Sequence, residues 1–243
     1  EGFGPLREQL AHFMAQKGAK DVTADQLIVT TGSQQALDLI GKTMISPGDK
    51  VIVEGPTFLA TIQCFRLYGA ELISAPVDGH GVKTDELEKL IAEHKPKFVY
   101  LIPTFGNPSG ALPSAERRKQ VLEMAVKHQT LIVEDDPYGD LYFGEAPPPS
   151  LLAMSASVAG SRELLGHCGS LSRVLSPGLR VGWMSAPAEL LGKATMCKQF
   201  SDAHTSTFAQ ATAAHYLIAG RMPGTLDKVR KVYAERAHAM GEA

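Results

Sequence analysis

The chain has 243 residues, which at about 150 residues per domain allows one large domain with appendages. Hydrophobic residues make up 44% and charged ones 21%, ordinary globular usage that excludes a disordered or low-complexity chain. Lys plus Arg is 24 against 26 for Asp plus Glu, a net charge of −2, so neither a nucleic acid nor an anionic membrane is expected as the main partner.

In chain order, amphipathic helices alternate with short apolar runs rich in β-branched residues. Helix is expected over Leu6 to Gln16, then a strand over Leu27 to Thr30 and a helix over Ser33 to Met44. Strands follow at Val51 to Glu54 and Glu71 to Pro76, separated by a helix over Thr57 to Tyr68. A helix over Thr84 to His94 precedes the strand Phe98 to Ile102, and one over Ser114 to His128 precedes Leu131 to Glu134. Weaker strands are expected at Leu165 to Gly169 and Val181 to Ala186, and then only helices: Ala188 to Phe200, Thr207 to Gly220 and Thr225 to Met240. This order predicts an α/β fold in three layers, a mostly parallel (mixed) sheet with helices on both faces.

The three cysteines, Cys64, Cys168 and Cys197, are odd in number and never form a CxxC pair. A disulfide framework and a cysteine-built zinc site are therefore disfavoured, and a reducing cytoplasm is expected. No run of 18 apolar residues exists to span a membrane, and Glu1-Gly2-Phe3-Gly4-Pro5 lacks the pattern of a signal peptide. Glu1 is not an initiating Met and the chain stops at Met240-Gly241-Glu242-Ala243 straight after a helix, so both ends read as cut.

Ligands of open α/β sheets bind beyond the carboxyl ends of strands, and four such ends carry unusual residues. Thr30-Thr31-Gly32-Ser33-Gln34 runs a strand through glycine into a helix start, an anion site by geometry unless Ser33 is only an N-cap. Asn107-Pro108-Ser109-Gly110 follows a buried strand and is either a turn or a source of a side-chain amide. Glu134-Asp135-Asp136 ends another strand. Three carboxylates there repel unless solvated, so at least one should meet a cation. No histidine pair lies at ligand spacing nearby, so a metal fits poorly and an organic cation suits Asp135, with Tyr138 three residues on. Ser170, Ser172, Arg173 and Arg180 lie within eleven residues, two hydroxyls and two guanidiniums suited to a phosphate. His167 and Cys168 beside that loop are expected to be buried packing.

The order and spacing of these motifs resemble the fold type I, class I/II aminotransferases that use pyridoxal 5'-phosphate. The likeness is greatest to the aminoadipate and kynurenine transaminase subgroup and to the transaminase-like domains of certain bacterial regulators. It runs over nearly the whole chain, from Gly4-Pro5-Leu6-Arg7 onward, and implies the large domain of that fold over residues 1–220. Residues 221–243 would then be a helix leading toward a smaller C-terminal domain.

By this resemblance Gly32, Ser33 and Gln34 would hold the cofactor phosphate together with Ser170, Ser172 and Arg180. Phe58 would stack on the pyridine ring, Asn107 and Tyr138 would bond its hydroxyl, and Asp135 would pair with the ring nitrogen, keeping it protonated and electron-accepting. Amino-acid and 2-oxo-acid substrates, a biosynthetic role and a homodimer are implied in the same way, with no nucleic acid or membrane as partner.

One position departs from the pattern. The Schiff-base lysine of the family directly follows Ser-x-Ser, and here that residue is Arg173. A guanidinium stays protonated at neutral pH and cannot act as the attaching amine. The expectation is noncovalent cofactor binding and very slow or absent transamination, the alternative being a noncatalytic ligand-sensing module. Gly106, where relatives carry bulkier polar residues, is expected to loosen the pocket wall.

Overall fold

The computed structural model describes residues 1–242, and its spine is one eight-stranded sheet. The strands are β1 (Leu27–Thr30), β2 (Lys50–Gly55), β3 (Glu71–Asp78), β4 (Gly81–Val82), β5 (Phe98–Leu101), β6 (Leu131–Asp136), β7 (Leu165–Ser170) and β8 (Gly182–Ser185). Their order across the sheet is β1-β8-β7-β6-β5-β2-β3-β4. The run β3-β2-β5-β6-β7 is parallel, and β8 pairs antiparallel with both β7 and β1. Two reversals in succession return β1 to the direction of the parallel strands, so the carboxyl ends of β1, β2, β5, β6 and β7 meet at one edge. Because β8 runs the other way, the connection between β7 and β8 turns over that same edge. All four chemistry-bearing loops are thereby delivered to one place.

Each central strand divides its side chains between two apolar layers, as the two-residue period of a strand requires. Val99 and Leu101 face one layer and Phe98, Tyr100 and Ile102 the other; Ile132 and Val133 divide likewise. The first layer is covered by α1 (Gly4–Gln16), α4 (Thr84–His94), α5 (Ala115–His128), α6 (Leu151–Met154), α8 (Thr207–Ile218) and α9 (Met222–Gly241). The second is covered by α2 (Ser33–Met44), α3 (Leu59–Leu67) and α7 (Ala188–Asp202). Burial on both faces explains why these strands are nearly continuous apolar runs.

Elements that escape the sequence are short. The two-residue β4 closes a turn on β3, and the single turn of α6 is held by Ser150 Oγ accepting from Ala153 N at 3.1 Å. Helix α9 starts at Met222, ahead of the expected Thr225, because Pro223 fits a first helical turn, where its missing N–H is not needed. Helix α7 runs on to Asp202, whose carboxylate pairs with Lys198 one turn earlier at 2.8 Å. No helix among the described residues is long and apolar enough to cross a membrane.

Candidate functional site

At the strand-end edge lies a cavity of about 220 Å³, lined by Ser33, Gln34, Phe58, Asn107, Asp135, Tyr138, Ser170, Ser172, Arg173 and Arg180, with Ile102, Pro137 and Pro177 completing the wall. Every residue to which the resemblance assigns a site role, Gly32 excepted, lines it.

One end is built from two loops locked together. Gly32 has φ +78°, and a Cβ there would lie 3.0 Å from Arg180 Cζ and closer still to Nη2. Thr30 Oγ1 donates to Gly32 O at 2.9 Å, fixing the turn into α2. Across from it Arg180, itself at φ +52°, donates from Nη1 to Ser172 Oγ at 3.1 Å, and Ser172 N donates to Ser170 Oγ at 3.1 Å. Gly182 is the second enforced glycine, since a Cβ would meet Ser33 N at 2.7 Å. The first amides of α2 have no partner within their helix and point where the dipole favours an anion. Together with the Arg180 guanidinium they form a tetrahedral-anion cradle.

The opposite end is dominated by Asp135, only 3% exposed. Its Oδ2 accepts from Tyr100 Oη at 2.8 Å, whereas its Oδ1 is buried without a partner. Burial pushes the Asp135 carboxyl up to about 7, against the bond from Tyr100 and with the help of nearby Asp136. A buried carboxylate oxygen with no donor is costly, and it is the acceptor that a protonated ring nitrogen would satisfy. Asn107 Nδ2 donates to Tyr138 Oη at 3.4 Å, which places an amide and a phenol side by side on the wall. Phe58 adds an aromatic face and Pro137 and Ile102 apolar ones. Anion cradle, aromatic wall, paired polar groups and orphaned carboxylate oxygen all fit a phosphorylated pyridine.

Arg173 lines the cavity, is exposed, and has no hydrogen-bond or ion-pair partner among the described residues. Among the described residues no lysine lines the cavity. Lys198, buried on α7, commits its amine to Gln35 Oε1 and to both oxygens of Asp202, all at 2.8 Å, and Lys193 pairs with Glu189. Neither amine is available to replace a lysine at position 173.

Two sequence expectations are corrected here. Gly106 is buried beneath the Asn107 loop, its N–H donating to Ala111 O at 3.0 Å, and does not form the cavity wall. His167 is more than packing: its Nδ1 lies 2.8 Å from Glu134 Oε2, so Glu134 is the carboxylate of the three that bonds a basic side chain of the protein. Glu134 also accepts from Leu151 N at 2.7 Å and Leu152 N at 3.1 Å. Burial opposes charge on both members. The mutual bond outweighs it, holding the Glu134 carboxyl below and the His167 imidazole above their ordinary values. This pair stands on the opposite face of β6 and β7 from Tyr100 and Cys168, beside a second cavity of about 360 Å³ lined by Lys17, Asp136, Trp183 and Arg230. Tyr100 was missed as well. The signal was a tyrosine inside an otherwise apolar strand, because a buried phenol needs a partner.

A family model described as aminotransferase class I and II matches residues 1–241. The 2-aminoadipate transaminase of Thermus thermophilus is 41% identical over 240 residues, covering 99% of this chain and 58% of that protein. The crystal structure of the α-aminoadipate aminotransferase LysN of the same organism, complexed with N-(5'-phosphopyridoxyl)-L-leucine, superposes with a TM-score of 0.92 at 39% identity, over 100% of this chain and 60% of that one. At greater distance, the HTH-type transcriptional regulator YisV of Bacillus subtilis is 33% identical over 240 residues, 98% of this chain and 48% of that protein. The chain thus spans less than two thirds of the length of each of these relatives.

Proposed function

Because the chain belongs to the class I and II aminotransferase family, we propose that it forms the cofactor-binding part of a protein built to transfer an amino group between an α-amino acid and a 2-oxo acid. The cofactor is pyridoxal 5'-phosphate, in keeping with the family and with the phosphopyridoxyl compound on the solved relative. When bound, it supplies an electron sink that makes a proton on the substrate Cα removable.

The observation that carries this reading is Asp135, whose buried Oδ1 has no partner, in the lining of the same cavity as the α2 N-terminus and Arg180. In this reading Ser33, Gln34, Ser170, Ser172 and Arg180 hold the phosphate, and Gly32 permits the close approach of Arg180. Phe58 covers the ring, Asn107 and Tyr138 take its hydroxyl, and Asp135 keeps its nitrogen protonated. Residues 1–220 are the large domain and the last helix leads out of it. Two copies would associate through exposed apolar side chains on α3, α7 and α8, such as Leu67, Phe200 and Phe208. Three free thiols suit a reducing, cytoplasmic setting, and a biosynthetic role follows the family resemblance alone.

Arg173 changes what the cradle can do. Its guanidinium keeps its proton at neutral pH, so the chain has no amine in the cavity to attach the cofactor and no neutral base to move the Cα proton. The cofactor is therefore held without a covalent link, and transamination by this chain is very slow or absent. That same residue favours a second reading, a noncatalytic module that senses the cofactor or an amino acid, and the likeness to a transcriptional regulator agrees with it.

Pyridoxal 5'-phosphate added to the purified chain, with visible spectra before and after borohydride, tests this directly. The unaltered chain should retain no cofactor after denaturation, and Arg173→Lys should retain it covalently. Retention in neither would sink the site assignment, and retention in the unaltered chain would refute the role given to Arg173.

A further inference from the structure

Behind the cavity, three buried side chains from three elements form a one-way line of donors. Thr61 Oγ1 on α3 donates to Tyr100 Oη at 3.2 Å, and Tyr100 Oη on β5 donates to Asp135 Oδ2 on β6 at 2.8 Å. Thr61 and Tyr100 are fully shielded from solvent. Tyr100 is clamped by Phe65, which meets its ring edge-on at 5.7 Å between centroids and 85° between planes.

We propose that Tyr100 is the positioning residue for the ring-nitrogen carboxylate, holding Asp135 by Oδ2 so that Oδ1 alone is presented to the cavity, with Thr61 polarising the phenol to strengthen that hold. The inference rests on the reading that Asp135 faces the cofactor ring, and it adds the group that aims and ionises it.

The direction of the donors follows from the chemistry. Burial first, then Asp135 itself, pushes the Tyr100 phenol well above its ordinary value, so the proton stays on Tyr100 and the bond stabilises the charged carboxylate. Thr61 acts the other way on the phenol, drawing density from its oxygen and making it a better donor, as chains of hydrogen bonds do. Tyr100 is the only donor to Asp135 among the described residues. The other titratable groups around Asp135 are Glu134 and Asp136 on its own strand and His167 and Cys168 on β7, with Tyr138, Arg173 and Arg180 on the cavity wall. Of those named on the strands only His167 favours the charged form, from the far side of the sheet. Without Tyr100, burial and two neighbouring carboxylates would drive Asp135 toward its neutral acid, which cannot pair with a protonated ring nitrogen as an anion.

The test uses Tyr100→Phe, which keeps the ring and its packing on Phe65, and Thr61→Val, which leaves Tyr100 in place should the first variant fold poorly. Two readouts are taken. One is the pH midpoint of the carboxyl infrared band that Asp135→Asn removes, measured on cofactor-free protein. The other is the affinity for pyridoxal 5'-phosphate, from quenching of Trp183, the single tryptophan. Tyr100→Phe should raise the midpoint by about one unit and weaken binding about tenfold, the scale of a hydrogen bond to a charge. Thr61→Val should shift both in the same direction by less.

A midpoint unmoved in Tyr100→Phe, or in Thr61→Val if Tyr100→Phe does not fold, would overturn the proposal and leave Tyr100 a packing residue. If Asp135→Asn bound the cofactor as tightly as the unaltered chain, the placement of the ring nitrogen would fall instead, and the midpoint would still decide whether Tyr100 ionises Asp135.

Discussion

Arg180 lies over Gly32 so closely that the two residues, 148 positions apart in the chain, leave no room for a single methyl group between them. Arg180 Nη2 also approaches Thr31 O at 3.5 Å, the residue before Gly32. The glycine is thus a condition for bringing a guanidinium to the start of α2, where an anion would sit.

Gly32→Ala should therefore act twice. It places a Cβ at φ +78° and pushes Arg180 off the helix start. We expect a loss of stability of ~1–3 kcal/mol and at least a tenfold loss of affinity for pyridoxal 5'-phosphate or for inorganic phosphate. Thermal unfolding and titration calorimetry check the two separately. Unchanged phosphate affinity would mean that the anion does not sit at this turn.

Asp135 should set part of the pH dependence of the cofactor-free chain. Its carboxyl titrates at about 7 when folded against an ordinary 3.8, so over that interval the native state holds a proton that the unfolded state has released. The contribution is present at the acid end and is lost as pH rises through about 7. Asp135→Asn should match the unaltered chain near pH ~4 and exceed its stability by up to ~4 kcal/mol near pH ~8. Urea unfolding of both chains across this range measures the difference. A constant gap at all pH values would contradict the assignment.

Breaking the buried Glu134–His167 pair should cost more than removing any surface ion pair. His167→Gln leaves the Glu134 carboxylate without its cation, an expected loss of ~3–5 kcal/mol. The imidazole titrates above its ordinary 6.5, so its stabilisation is complete below that value and fades as pH rises through the folded value. Glu134 titrates below its ordinary 4.5, so its share is present above that value and is lost as pH falls through the folded one. The variant should accordingly differ most from the unaltered chain between those limits and converge with it on the alkaline side. Chemical unfolding at stepped pH checks this, and a difference that grows with alkalinity would refute it.

Much of the molecule is legible in the linear sequence because its signals are local. The apolar runs of Phe98–Leu101 and Leu131–Asp136 mark doubly covered strands, Gly32-Ser33 marks a turn into a helix, and an arginine, not a lysine, directly follows Ser170-x-Ser172. Each depends on residues within a few positions of one another, and intrinsic backbone preference and periodicity act on that scale.

What the sequence by itself determined is the set of parts: which segments are strands, which loops carry hydroxyls, amides, carboxylates and guanidiniums, and that no lysine directly follows Ser172. Only the tertiary structure decided how the parts face one another. The reversal of β8 brings Arg180 back over Gly32, Tyr100 finds Asp135 from the neighbouring strand, His167 takes Glu134 on the opposite face, and Lys198 is spent on Asp202 and Gln35. The physical reason is register. A strand's two-residue period fixes which face a side chain takes, but its partner is chosen by the alignment of strands far apart in the chain, through the burial of all of them together.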